Sequence, residues 1–118
     1  MIPRYDNLGH SLVAFDPETD RELWRWPCRD GEIAKIGLDP VGGGCVLLID
    51  GSREMSTRNI LYLGVDGSIA WAAEEPPAHG GYVDFCMQSE GIGASSWAGF
   101  SVLLTRDSGK ILRQEYAK

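Results

Sequence analysis

The segment Asn59-Ile60-Leu61-Tyr62-Leu63-Gly64-Val65-Asp66-Gly67-Ser68-Ile69-Ala70-Trp71-Ala72-Ala73 decides the fold class. Two short apolar runs flank Asp66-Gly67. A glycine in that place reaches the positive φ that a tight strand reversal needs, so the pair is a strong hairpin signal. Neither run is long enough for three helical turns, and neither has a cap or a stop. The same unit recurs on both sides. Leu12-Val13-Ala14-Phe15-Asp16-Pro17-Glu18-Thr19-Asp20-Arg21-Glu22-Leu23-Trp24 precedes it, and Val102-Leu103-Leu104-Thr105-Arg106-Asp107-Ser108-Gly109-Lys110-Ile111-Leu112 follows it. Each copy is an apolar strand, an acidic or glycine turn and an apolar return strand.

Aligned on the turn, Asp20, Gly67 and Gly109 coincide. Trp24 and Trp71 then coincide four residues later, and the third copy has Arg113 there. Because residues alternate faces along a strand, Trp24 points with Trp26, and Ile69 points with Trp71 and Ala73. Large indoles on an inward face supply much of the buried area of a small sheet, so the repeat tryptophans are read as core. Further strands are expected near Ile33–Leu38, Gly44–Asp50, Tyr82–Gln88 and Ile92–Ser96, which with the paired runs makes an all-β antiparallel meander of about ten short strands. Gly51–Arg58 and Glu74–Gly81 read as loops rather than linkers, so residues 1–118 read as a single all-β domain. Fifteen glycines in 118 residues, about an eighth of the chain against a usual ~7%, fit so many turns.

The repeat resembles the strand–turn–strand unit of quinoprotein-type β-propeller blades. From Arg58 to Lys118 the chain also resembles a family of small, uncharacterised bacterial proteins. The resemblance is carried by Arg58-Asn59-Ile60-Leu61-Tyr62, by Asp66-Gly67-Ser68-Ile69-Ala70-Trp71 and by Trp97-Ala98-Gly99-Phe100. It continues through Asp107-Ser108-Gly109-Lys110-Ile111-Leu112 and closes on Tyr116-Ala117-Lys118. It implies a fold and no activity. A propeller takes four or more four-stranded blades, and about ten strands make two and a half. The count therefore favours a closed or sandwiched meander, a β-sandwich or barrel, over a partial propeller, unless chains assemble.

The formal net charge is −6, and the eleven Lys and Arg are scattered singly. Direct nucleic-acid binding needs a basic stripe, so it is not expected. The start, Met1-Ile2-Pro3-Arg4-Tyr5-Asp6, lacks a secretory pattern, and the longest apolar run, Cys45 to Ile49, is far short of a membrane span. Cys28, Cys45 and Cys86 form no Cys-x-x-Cys pair; they read as buried, reduced thiols of a cytoplasmic protein with no membrane partner.

No cofactor or metal site is expected. Asp16, Glu18 and Asp20 alternate like the start of a calcium loop, but Pro17 intrudes and the glycine and closing Glu are missing. Gly42-Gly43-Gly44 lacks the Gly-Lys-Ser/Thr ending of a phosphate loop and reads as a flexible strand connection. Gly91-Ile92-Gly93-Ala94 opens no helix. Of the two histidines, His10 and His79, the second has Glu74, Glu75 and Asp84 near it in sequence, yet no nucleophile motif accompanies it. The reading is a non-enzymatic protein-binding module. Its small size and acidity fit an immunity protein that neutralises a basic toxin, with Asp16, Glu18, Asp20, Glu74, Glu75 and His79 as contact candidates. The alternative is a structural module that self-associates through sheet edges into a homo-oligomer. An enzyme built on His79 ranks last.

Overall fold

The computed structural model describes residues 1–116; Ala117 and Lys118, on which the C-terminal resemblance closes, lie outside the described residues. Among the described residues there are eleven strands and no helix long and apolar enough to cross a membrane. Sheet 1 is β1 (Arg4–Asn7), β2 (Ser11–Phe15) and β3 (Glu22–Pro27), in that order. Sheet 2 is β4 (Glu32–Leu38), β5 (Cys45–Asp50), β6 (Ile60–Leu63) and β7 (Ile69–Ala72). Sheet 3 is β8 (Tyr82–Met87), β9 (Ile92–Ser96), β10 (Phe100–Leu104) and β11 (Ile111–Tyr116). Every neighbouring pair is antiparallel.

The sheets stack as successive propeller-type blades, so the expected all-β antiparallel meander takes its partial-propeller form rather than the closed or sandwiched form that the strand count favoured. The physical reason lies in sheet 2. Cys45–Ile49 and Ile60–Leu63 are continuously buried, so both faces of the sheet are covered. A two-sheet sandwich would leave one face wet and make these strands alternate. On one side Leu47, Ile49, Leu61 and Leu63 meet Leu12, Tyr5, Trp24 and Trp26 of sheet 1. On the other, Val46, Leu48, Tyr62 and Trp71 meet Tyr82, Phe85, Ile92 and Leu104 of sheet 3. Strand β1 was not anticipated, because Arg4-Tyr5-Asp6-Asn7 has no apolar run. It forms by pairing with β2 and laying Tyr5 into the first core.

The internal repeat is a packing device. Trp24 Nε1 donates to the Val65 carbonyl at 2.8 Å, and Trp71 Nε1 donates to the Arg106 carbonyl at 2.7 Å. In each case the return-strand tryptophan of one sheet rests on the hairpin turn of the next. Gly67 (φ +86) lies under the Trp24 ring, where an added Cβ would come within 2.7 Å of it, and Gly109 (φ +69) lies likewise under Trp71. The turn glycines thus serve the neighbouring sheet as well as their own hairpin. A one-residue bulge recurs at the equivalent place in all three sheets: Leu23, Ala70 and Leu112 are the extra residues in the return strands. The bulge overturns one expectation. Ile69 pairs with Leu63 and Trp71 with Tyr62, so the two point to opposite faces and Ile69 is exposed.

Candidate interaction surface

The hairpin between β9 and β10 closes on Ser96, whose carbonyl accepts from Gly99 N–H at 3.1 Å and whose hydroxyl accepts from Phe100 N–H at 3.1 Å. That closure leaves Trp97 at the tip, 69% exposed. The Glu74–Gly81 loop passes beneath it. Trp97 N–H donates to the Gly81 carbonyl at 2.9 Å, and a Cβ at Gly80 (φ +84) would sit 2.9 Å from the Trp97 Cβ. The loop brings the His79 ring to 5.9 Å from the indole, tilted 46°.

Beside this aromatic pair a groove of about 250 Å³ runs between the β5–β6 loop and the start of β8, with Trp97, Val83, Asp50, Ser52 and Met55 among its lining. Two polar residues, the buried Asn59 and the half-buried Asp30, brace the surrounding backbone. Asn59 Nδ2 donates to the carbonyls of Ile49 and Tyr82, both at 2.9 Å, and its Oδ1 accepts from Tyr82 N–H at 2.8 Å, so it clamps sheet 2 to sheet 3. Asp30 accepts from Glu54 N–H at 2.9 Å, the Ser52 hydroxyl at 2.7 Å and Arg53 N–H at 3.0 Å. Those bonds hold its carboxyl below the usual carboxylate range. Asp50 is exposed and makes no ion pair among the described residues.

The contact candidates fall in separate places. Asp16, Glu18 and Asp20 occupy the β2–β3 turn, where Asp16 Oδ1 accepts from Glu18 N–H at 2.8 Å and Asp20 meets Arg4 at 3.2 Å. Glu74 and Glu75 follow β7. Glu74 Oε1 accepts from Ile111 N–H at 3.0 Å and its carbonyl from the Tyr82 hydroxyl at 2.6 Å, so this residue ties sheet 2 to sheet 3. Glu75 accepts from the Thr57 hydroxyl at 3.1 Å. Asp84, near His79 in sequence, is engaged by Lys35 at 2.9 Å instead. Of the six, His79 alone packs against Trp97, and it lies beside the groove rather than in its lining. Trp97 drew attention only through the resemblance; its exposure depends on the Ser96 closure and on Gly80, and neither is visible as a pattern.

A second polar centre also escaped the sequence reading. Asp39 is 3% exposed, and its Oδ2 accepts from the Tyr62 hydroxyl at 2.5 Å while Oδ1 accepts from Val41 N–H at 3.0 Å. Burial pushes its carboxyl upward, but those hydrogen bonds, the Gly42 amide and the charge of Arg106 outweigh burial and hold it below the ordinary value. Gly42-Gly43-Gly44 wraps this pair, which corrects the expectation of a flexible connection. A Cβ at Gly44 would sit 2.5 Å from the Tyr62 ring, and the Gly43 carbonyl accepts from the Tyr5 hydroxyl at 2.8 Å. Burial pushes Tyr5 up to about 12.

Cys28 and Cys45 are buried as expected, and burial pushes Cys45 up to about 12. Cys86 is exposed, contrary to the expectation for all three thiols. It points from β8 onto the outer face of sheet 3, which no sheet among the described residues covers. That face holds a hollow of about 470 Å³ floored by Gly93, Ser95 and Ser101 and walled by Asp84, Arg113 and Glu115.

The chain matches no protein-family model and no curated protein sequence. It is similar in structure to the computationally designed Ika8 protein, with a TM-score of 0.71 at 9% identity over 100% of this chain and 35% of that one. It is similar also to BamB from Moraxella catarrhalis, a β-propeller, with a TM-score of 0.59 at 16% identity over 98% of this chain and 35% of that one. At such identities the likeness concerns the fold alone. The chain spans about a third of the length of either protein.

Proposed function

We propose that this chain is a non-enzymatic protein-binding module whose Trp97 groove receives a cationic segment of a basic partner. The observation that carries the reading is the exposed indole of Trp97, backed by His79 and flanked in one groove by the unpaired carboxylate of Asp50. An indole face attracts an ammonium or guanidinium group, and exposed tryptophans are enriched among residues that dominate binding energy. A net charge of −6 adds long-range attraction for such a partner. A basic toxin neutralised by an immunity protein is one partner of this class, and kinship with the small bacterial proteins that the C-terminal half resembles belongs to the same proposal. A cytoplasmic setting, where the thiols stay reduced, completes it.

The test is a fluorescence titration with a nona-arginine peptide at low and moderate salt, using a nona-glutamate peptide as control. The arginine peptide should quench Trp97, and W97A should weaken binding at least tenfold by a label on the peptide. D50N should weaken it less. Reversal of Asp16, Glu18 and Asp20 should slow association only at low salt, because exposed charges act through a screened field. Equal affinity for both peptides, or unchanged affinity in W97A, would reject the reading.

A further inference from the structure

The two departures from the internal repeat fall at the two open ends of the stack. At both internal joints a return-strand tryptophan lies on a turn glycine of the next sheet: Trp24 on Gly67, and Trp71 on Gly109. The equivalent positions left over are Arg113 of β11, paired with Leu103 as Trp71 is with Tyr62, and Asp20 of the β2–β3 turn. Both are exposed. Asp20 holds the positive φ of its glycine counterparts, at 60°. If sheet 3 of one copy met sheet 1 of another as the internal sheets meet, Arg113 would lie on Asp20. A tryptophan–glycine joint would be replaced by an arginine–aspartate joint. The two substitutions are complementary in charge and occupy the pair of positions that a second copy would bring together.

We infer that this protein associates head to tail with copies of itself, the outer face of sheet 3 receiving the outer face of sheet 1, with Arg113 paired to Asp20 at each joint. The shapes agree with this. Sheet 3 offers the hollow floored by Gly93, Ser95 and Ser101. The outer side of sheet 1 presents a larger group, Phe15 with the Arg4 guanidinium 4.5 Å over its ring. The present partners are weak competitors: Arg4 for Asp20 at 3.2 Å and Glu90 for Arg113 at 3.2 Å, all on exposed side chains that water screens. A joint between unlike faces repeats until it closes. One chain covers 35% of the length of BamB, a β-propeller, so three copies match about the length of that whole protein. The occupant of both faces is therefore a second copy, in a ring of three.

The inference is independent of the Trp97 groove, and it is tested by solution mass from sedimentation and light scattering of the full chain. Wild type should rise with concentration from 12.9 kDa toward three times that mass, and less so at high salt. R113D should weaken association at least tenfold. The double variant R113W with D20G rebuilds the internal joint, so it should associate at least as tightly as wild type and without salt dependence. R113W alone should not, because the Asp20 side chain occupies the space that Gly67 and Gly109 leave free. Circular dichroism of each variant monitors the fold, and D20N with R113Q removes both charges without bulk and should leave a folded monomer. A wild type that stays at 12.9 kDa up to millimolar concentration, or a double variant no more associated than R113W alone, would overturn the inference.

Discussion

Replacing Tyr62 with Phe removes one oxygen atom and almost no packing volume. Its ring remains against Trp71, 5.5 Å between centroids, and Gly44 still has the flat neighbour it needs. What disappears is the hydroxyl that donates to a carboxylate only 3% exposed. A hydrogen bond to a buried ionised group contributes about 1.5–3 kcal/mol, since its loss leaves a charge less well solvated. For a chain of this size that is a fall in Tm of roughly 10 °C. The loss should depend on pH. Asp39 titrates below its ordinary value, so its interactions contribute stability that is whole above ~3.9, the unfolded value, and is lost as pH falls through the folded value. Urea unfolding at pH 7 should therefore separate wild type from Y62F by about 2 kcal/mol, and the gap should narrow steadily below pH ~4. D39N should flatten the same acid limb. A gap below about 0.5 kcal/mol at pH 7, or one that stays constant into strong acid, would refute an ionised Asp39 held by Tyr62.

Trp71→Ala should cost about 3–5 kcal/mol, since the residue is 8% exposed and its removal also strands the Arg106 carbonyl. Trp24→Ala should cost about half as much, because that ring is half-buried at the end of the first core; equal melting temperatures for the two variants would contradict this packing. In native buffer a thiol probe should label Cys86 quickly and leave Cys28 and Cys45 until denaturant is added; a second fast thiol by mass spectrometry would count against the buried assignments.

The local parts of this fold could be read from local chemistry. All ten expected strands are present, because each is an apolar run bounded by Asp, Gly or Pro, and the Asp66-Gly67 reversal forms where expected. The arrangement of the sheets was harder to read, because blades and sandwiches use the same hairpins. The deciding feature is Cys45–Ile49 beside Ile60–Leu63, two runs with no polar alternation, the pattern of strands buried on both faces. Bulges at Leu23, Ala70 and Leu112 shift the facing of a strand without marking the sequence, which is why Ile69 was misplaced. Polar sites fared worst. Asp39, Asn59 and Asp30 each gain their roles from groups more than 19 residues away, and no spacing rule reaches that far. Glu74 was chosen for its charge, yet its oxygen is occupied by the Ile111 amide.

The burial of sheet 2 on both faces bears on how the chain can be cut or divided. A protease nick or a gene truncation in the Cys28–Gly31 connection would detach sheet 1 and leave Leu47, Ile49, Leu61 and Leu63 facing water. A cut in the Glu74–Gly81 loop would do the same to Val46, Leu48, Tyr62 and Trp71. Neither remnant could keep the middle strands dry, and an oily sheet with open edges recruits other chains. The stack therefore tolerates insertions at its hairpin tips far better than the loss of either outer sheet, and its lifetime in a cell rests on those two connecting loops staying out of a protease's reach.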